Sequence, residues 1–97
     1  MTTVEKKLEK WLNNTPKYEP KEKVLPVLKR FFAGQYEQKS SSHIVVQDDK
    51  LKLFPNKYGP NGEFDIVIKG GQKVKGFYLK RLAQTIKLLE ELQELEV

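Results

Sequence analysis

A single imidazole stands in these 97 residues, and its neighbours suit it: Lys39-Ser40-Ser41-Ser42-His43-Ile44-Val45-Val46 puts a lysine and three hydroxyls ahead of a β-branched run. Histidine both takes and gives a proton near neutral pH, so His43 is the candidate acid–base group. The serines favour a turn and the β-branched residues a strand, which places His43 where turn becomes strand. If Ile44 and Val46 face a core, His43 and Val45 face solvent or ligand. The competing reading is an ordinary surface histidine without chemistry.

The cations are unevenly spread. Between Asp65 and Glu90 there is no acid, yet Lys69, Lys73, Lys75, Lys80, Arg81 and Lys87 all fall there, and the sign reverses at Glu90, Glu91, Glu94 and Glu96. The whole chain carries 18 Lys and Arg against 13 Asp and Glu, a formal +5. Such an excess favours polyanionic partners such as nucleic acid. The plainer alternative is a solvated helix face.

Other classes are narrowed by what is missing. Without cysteine there is no disulfide framework, thiolate nucleophile or thiolate zinc site, and His43 is the sole possible imidazole ligand, so neither metal nor cofactor is expected. No apolar run approaches the ~20 residues that cross a bilayer, and the start, Met-Thr-Thr-Val-Glu-Lys-Lys, leads into an amphipathic pattern. A cytoplasmic protein with no membrane partner is the expectation. The length suits one domain over 1–97.

Three helices and three strands must position these groups. Val4, Leu8, Trp11 and Leu12 repeat at helical spacing and predict a helix over 3–13, closed by Asn13-Asn14-Thr15-Pro16. Residues 14–20 read as a connector. Val24, Leu25, Leu28, Phe31 and Phe32 predict a second helix opening near Pro20, with Pro26 implying a bend or a later start, and Gly34 a left-handed stop. Residues 35–39 and 42–47 read as strands joined through the serines, Asp48-Asp49-Lys50 as a turn, and Leu51 and Leu53 as a brief strand-like alternation. Residues 54–62 carry loop signals throughout, and 64–69 is the firmest strand, with Phe64, Ile66 and Ile68 on one face. Gly70-Gly71 ends it. Lys73-Val74-Lys75 then leads into a last helix marked by Leu79, Leu82, Ala83, Ile86 and Leu89, with Leu88, Leu92 and Leu95 as a second stripe. Its acidic end opposes the helix dipole and is expected to fray. The fold class is α+β: a three-stranded antiparallel sheet with helices on one face, in the order α-α-β-β-β-α.

With Ser-Ser-His at the hairpin and Gly-Gly-Gln-Lys-Val-Lys-Gly-Phe-Tyr-Leu-Lys-Arg-Leu before the last helix, the chain resembles the HicA-type toxins of bacterial toxin–antitoxin pairs over residues 22 to about 87. The helix over 3–13 is extra. Ser41 stands where that family has glycine, Ile44 where it often has a second histidine, and the 47–63 connection is longer than usual. The resemblance implies a fold like double-stranded-RNA-binding domains, a small basic ribonuclease (an mRNA interferase), RNA as substrate and a HicB-type antitoxin as protein partner. It carries the catalytic role to His43, and Lys69, Lys73 and Lys75 match the family's basic turn.

Cleaving RNA without metal requires a base for the 2′-hydroxyl proton, an acid for the leaving 5′-oxygen, and cations for the charge that grows on phosphorus oxygens. His43 can be the base. Lys39, Lys73, Lys75 and Tyr78 are candidates to stabilise or protonate, and with no second histidine turnover should be slow. Lys39, Ser42, Lys69, Lys73, Lys75, Tyr78, Lys80 and Arg81 are the expected RNA contacts, with Phe77, Tyr78 or Tyr58 stacking an unpaired base. Two other classes stay open: a non-catalytic RNA-binding module, and a protein-interaction domain built on the leucine-rich, acidic last helix.

Overall fold

A computed structural model describes residues 2–95. Three helices, α1 (Thr3–Asn13), α2 (Lys21–Phe31) and α3 (Gly76–Leu95), pack with a five-stranded antiparallel sheet. Its strands are β1 (Tyr18–Pro20), β2 (Tyr36–Ser40), β3 (His43–Gln47), β4 (Glu63–Lys69) and β5 (Lys73–Lys75), in the spatial order β1-β5-β4-β3-β2. The α+β class holds. The three-stranded sheet and the order α-α-β-β-β-α do not: β1 lies in the expected connector, and β5 in the run read only as the approach to the last helix. Both are three residues long; β1 pairs only with β5, and β5 is held between β1 and β4. Pro20 is tolerated because β1 is an edge strand, where a missing N–H deprives no neighbour.

One contiguous core joins a single face of the sheet to all three helices. Ile44, Val46, Phe64, Ile66, Ile68 and Val74 point into it, against Leu8 and Trp11 of α1, Val24, Val27 and Leu28 of α2, and Leu79, Leu82, Ala83 and Ile86 of α3. Fully burying a side chain of this size is worth roughly 1.5–3 kcal/mol. The opposite face carries no helix.

Local chemistry accounts for the boundaries. Thr2 caps α1 by accepting from the Glu5 N–H at 3.1 Å, and α1 lies along α3. The second helix starts at Lys21 rather than later, with Pro26 inside it. Pro26 is exposed, and the carbonyl it deprives of a partner is that of Glu22 on the same exposed side. Gly34 is left-handed (φ 73°), two residues after the Phe32 cap, in the turn closed by Gln35 N–H to Phe32 O at 2.8 Å. The strand-like alternation at Leu51 and Leu53 proves to be a 3-10 helix, Asp49–Leu53. Asp48 caps it, accepting from Lys50 N–H at 2.9 Å, and its three-residue repeat turns Leu51 into the core while Leu53 stays outside. The 54–62 loop is as expected from its residues.

The last helix begins on a glycine for a steric reason. A β-carbon on Gly76 would strike the carbonyl oxygen of Pro16, and the Gly76 N–H donates to Lys17 O at 2.9 Å. The start of α3 is thereby clamped to the segment leading into β1. At its other end α3 is helical through Leu95, with Leu88, Leu89 and Leu92 half-buried; Glu96 lies outside the described residues.

Candidate nucleic-acid interface

The uncovered face of the sheet is where the candidate groups gather. Alternation along β3 and β4 sends His43, Val45, Asp65, Val67 and Lys69 outward, and on β5 it does the same for Lys73 and Lys75. Register then sets them in rows. His43 is opposite Val67, Lys69 opposite Lys73, Lys73 opposite Pro20 and Lys75 opposite Tyr18. One step along the β4–β5 register Val67 faces Lys75, so His43, Val67, Lys75 and Tyr18 form one row. At ~4.8 Å per strand, that row spans ~14 Å from β3 to β1.

The β2–β3 hairpin turns on Ser41 and Ser42. Two-residue hairpins prefer turns with positive φ, which no non-glycine residue here adopts, and a register shift between Gln38 and Ser40 accommodates the difference. Ser40 Oγ accepts from Ser42 N–H at 3.2 Å, and Ser42 Oγ lies 3.0 Å from His43 Nδ1. If Nδ1 carries the proton, it donates to Ser42, and the Nε2 lone pair of the exposed ring is free to act as a base. The β4–β5 turn is adjacent: Gly70 and Gly71 are left-handed (φ 62° and 70°), and a β-carbon on Gly71 would stand 3.6 Å from Ser41 O. The imidazole and the opposed lysines therefore share one end of the sheet.

Tyr18 is the residue that sequence reasoning missed. The ammonium groups of Lys73, Lys69 and Lys17 lie 4.4, 5.4 and 5.9 Å from its ring centroid, and Lys69 Nζ donates to the phenol oxygen at 3.3 Å. That hydrogen bond, followed by the charge of Lys69 itself, holds the phenol below the ordinary tyrosine value; Lys75 and Lys17 add to the effect and desolvation opposes it. No carboxylate pairs with Lys69, Lys73 or Lys75 among the described residues. The ring's place was hidden because its strand is defined only by β5, far along the chain.

Other expected contacts lie elsewhere. Lys39 is exposed within the β2 irregularity and paired with Glu37 at 2.9 Å. Lys80 and Arg81 belong to the helical layer, where Lys57, Tyr58, Phe77, Lys80, Arg81, Gln84 and Leu88 line an open hollow of about 580 Å³. Arg81 acts there as a tether, donating to Lys57 O at 2.6 Å and lying over the Tyr58 ring at 5.6 Å. Of the three proposed stacking rings, Tyr58 is held by Thr85 Oγ1 at 2.7 Å and by an edge contact with Phe64, and Tyr78 packs on the core. Only Phe77 is largely exposed, and it lies in the hollow rather than on the sheet.

Among the described residues no three His, Asp or Glu side chains are grouped to hold a metal ion, and no helix is long and apolar enough to cross a membrane. No protein family, curated protein or solved structure matches this chain.

Proposed function

We propose that the chain is a HicA-like toxin, an RNA-binding ribonuclease that uses His43 as general base, with RNA as substrate and a HicB-type antitoxin as protein partner. The observation that carries this reading is the directly opposed pair Lys69 and Lys73, next to Lys75, on the face that also bears His43. Like charges directly across a sheet are destabilising, and a bound phosphate chain relieves that repulsion.

In the reaction, His43 Nε2 takes the 2′-hydroxyl proton and the 2′-oxygen attacks phosphorus. The bond to the 5′-oxygen breaks, leaving a 2′,3′-cyclic phosphate, and the 5′-oxygen takes a proton from a neighbouring ammonium or water. Ser42 orients the imidazole, and Lys69, Lys73 and Lys75 offset charge on the phosphoryl oxygens.

His43→Gln tests this, because it retains hydrogen bonding but cannot exchange a proton near neutrality. The variant should bind RNA as wild type does, lose roughly 10²- to 10⁴-fold in cleavage rate and no longer arrest growth when expressed alone. If wild type leaves RNA intact while still binding it, the nuclease assignment fails and an RNA-binding module remains. Failure to bind RNA at all leaves the acidic end of α3 as the interaction surface.

A further inference from the structure

We propose that Tyr18 is a stacking platform for an unpaired base of single-stranded RNA, with Lys69, Lys73 and Lys75 holding the flanking phosphates as the strand crosses the open sheet between Tyr18 and His43. This deepens the reading above and rests on it, since it requires that this face meet RNA. Tyr18 shares its face with exposed Lys75, directly opposite, whereas the next residue, Glu19, turns inward to Trp11. Its ring therefore lies on the solvent side of an edge strand, among cations that no carboxylate neutralises.

The lysines now near the ring do not prevent stacking. An exposed cation–π contact is worth roughly 2- to 5-fold in an equilibrium, whereas stacking a base on an aromatic side chain is worth roughly 5- to 150-fold. A base displaces the ammonium groups, and these turn to the adjoining phosphates. Duplex RNA does not fit the role, because its bases are already stacked on one another and are reached only through its grooves. Phe77 is more exposed but lies with Lys57, Lys80 and Arg81, away from the lysines of the sheet.

The test is anisotropy of a short labelled 2′-O-methyl oligouridylate, which cannot be cleaved through a 2′-hydroxyl, against the full chain. Tyr18→Ala should weaken binding roughly 5- to 150-fold, Tyr18→Phe should match wild type, and Tyr18→Leu, which retains apolar bulk for folding, should be as weak as alanine. An abasic probe should bind wild type and Tyr18→Ala alike. Tyr18→Ala or Tyr18→Leu binding as tightly as wild type, or a duplex competing as well as the single strand, overturns the platform. If that happens while cleavage still depends on His43, the ribonuclease reading survives alone. If wild type binds no oligonucleotide, both fall.

Discussion

Lys69 and Tyr18 are joined across an intervening strand: the ammonium on β4 reaches over β5 to the phenol oxygen on β1, at 3.3 Å. Residues 51 apart in the chain thus meet at the edge of the open face. The contact is solvent-exposed and its worth lies in what it does to the phenol more than in stability.

The Tyr18 phenol should ionise below the ordinary tyrosine value. Absorbance near the tyrosinate band, followed against pH, should show one early step below the ordinary value of about 10. Lys69→Met should move that step upward, and Tyr18→Phe should remove it. Because the folded pKa is depressed, the contribution to stability is complete above the unfolded value and is lost as pH falls through the folded one. Wild type should therefore gain on Tyr18→Phe only on the alkaline side. A titration curve left unchanged by Tyr18→Phe below that value would contradict the cluster.

Salt should report which lysines meet phosphate. Each phosphate neutralised on a single strand contributes about −0.7 to the slope of log affinity against log salt. Lys69→Gln and Lys73→Gln should each make the slope shallower by about that amount, and Lys80→Gln, on the helical layer, should leave it unchanged. Equal slopes for all three variants would remove the open face from the binding surface.

The extra helix is anchored by a buried carboxylate. Glu19 accepts from Trp11 Nε1 at 3.2 Å beneath the sheet edge. Trp11→Phe removes the donor and leaves a void beside it, which should cost about 2–4 kcal/mol in urea unfolding. Glu19→Gln keeps an acceptor there and should cost less than half as much. A larger loss for Glu19→Gln would mean that the indole bond is not what holds β1 to α1.

Where a residue's neighbours in sequence determine its environment, the chain is readable. Alternation at His43, Ile44, Val45 and Val46, and again at Phe64, Ile66 and Ile68, identifies the buried face because the strand period is two. Helical spacing at Leu8 and Trp11, or at Leu79, Leu82 and Ile86, does the same for the helices. Tyr18-Glu19-Pro20 is too short for any period, and only pairing with β5 makes it a strand and turns its tyrosine outward. Leu51 and Leu53 mimic alternation until the Asp48 cap is taken into account. Arg81 counts as one more cation in the sequence, and its role as a loop tether follows only from the Lys57 carbonyl beside it.

The two unequal parts of the sheet imply an order of assembly. The β2–β3 and β4–β5 pairs are joined by tight turns and β3 closes on β4 over the connection 48–62, so these pairings close the shorter loops and form earlier. The β1–β5 pairing joins Tyr18 to Lys75, 75 − 18 = 57 residues apart, through strands of only three residues. Its amides should be the last protected during refolding and the first to exchange from the native state, measurable by pulsed hydrogen exchange. The histidine end of the open face is then in place before the tyrosine end, and a nascent or partly opened chain presents His43 without its lysine-ringed phenol.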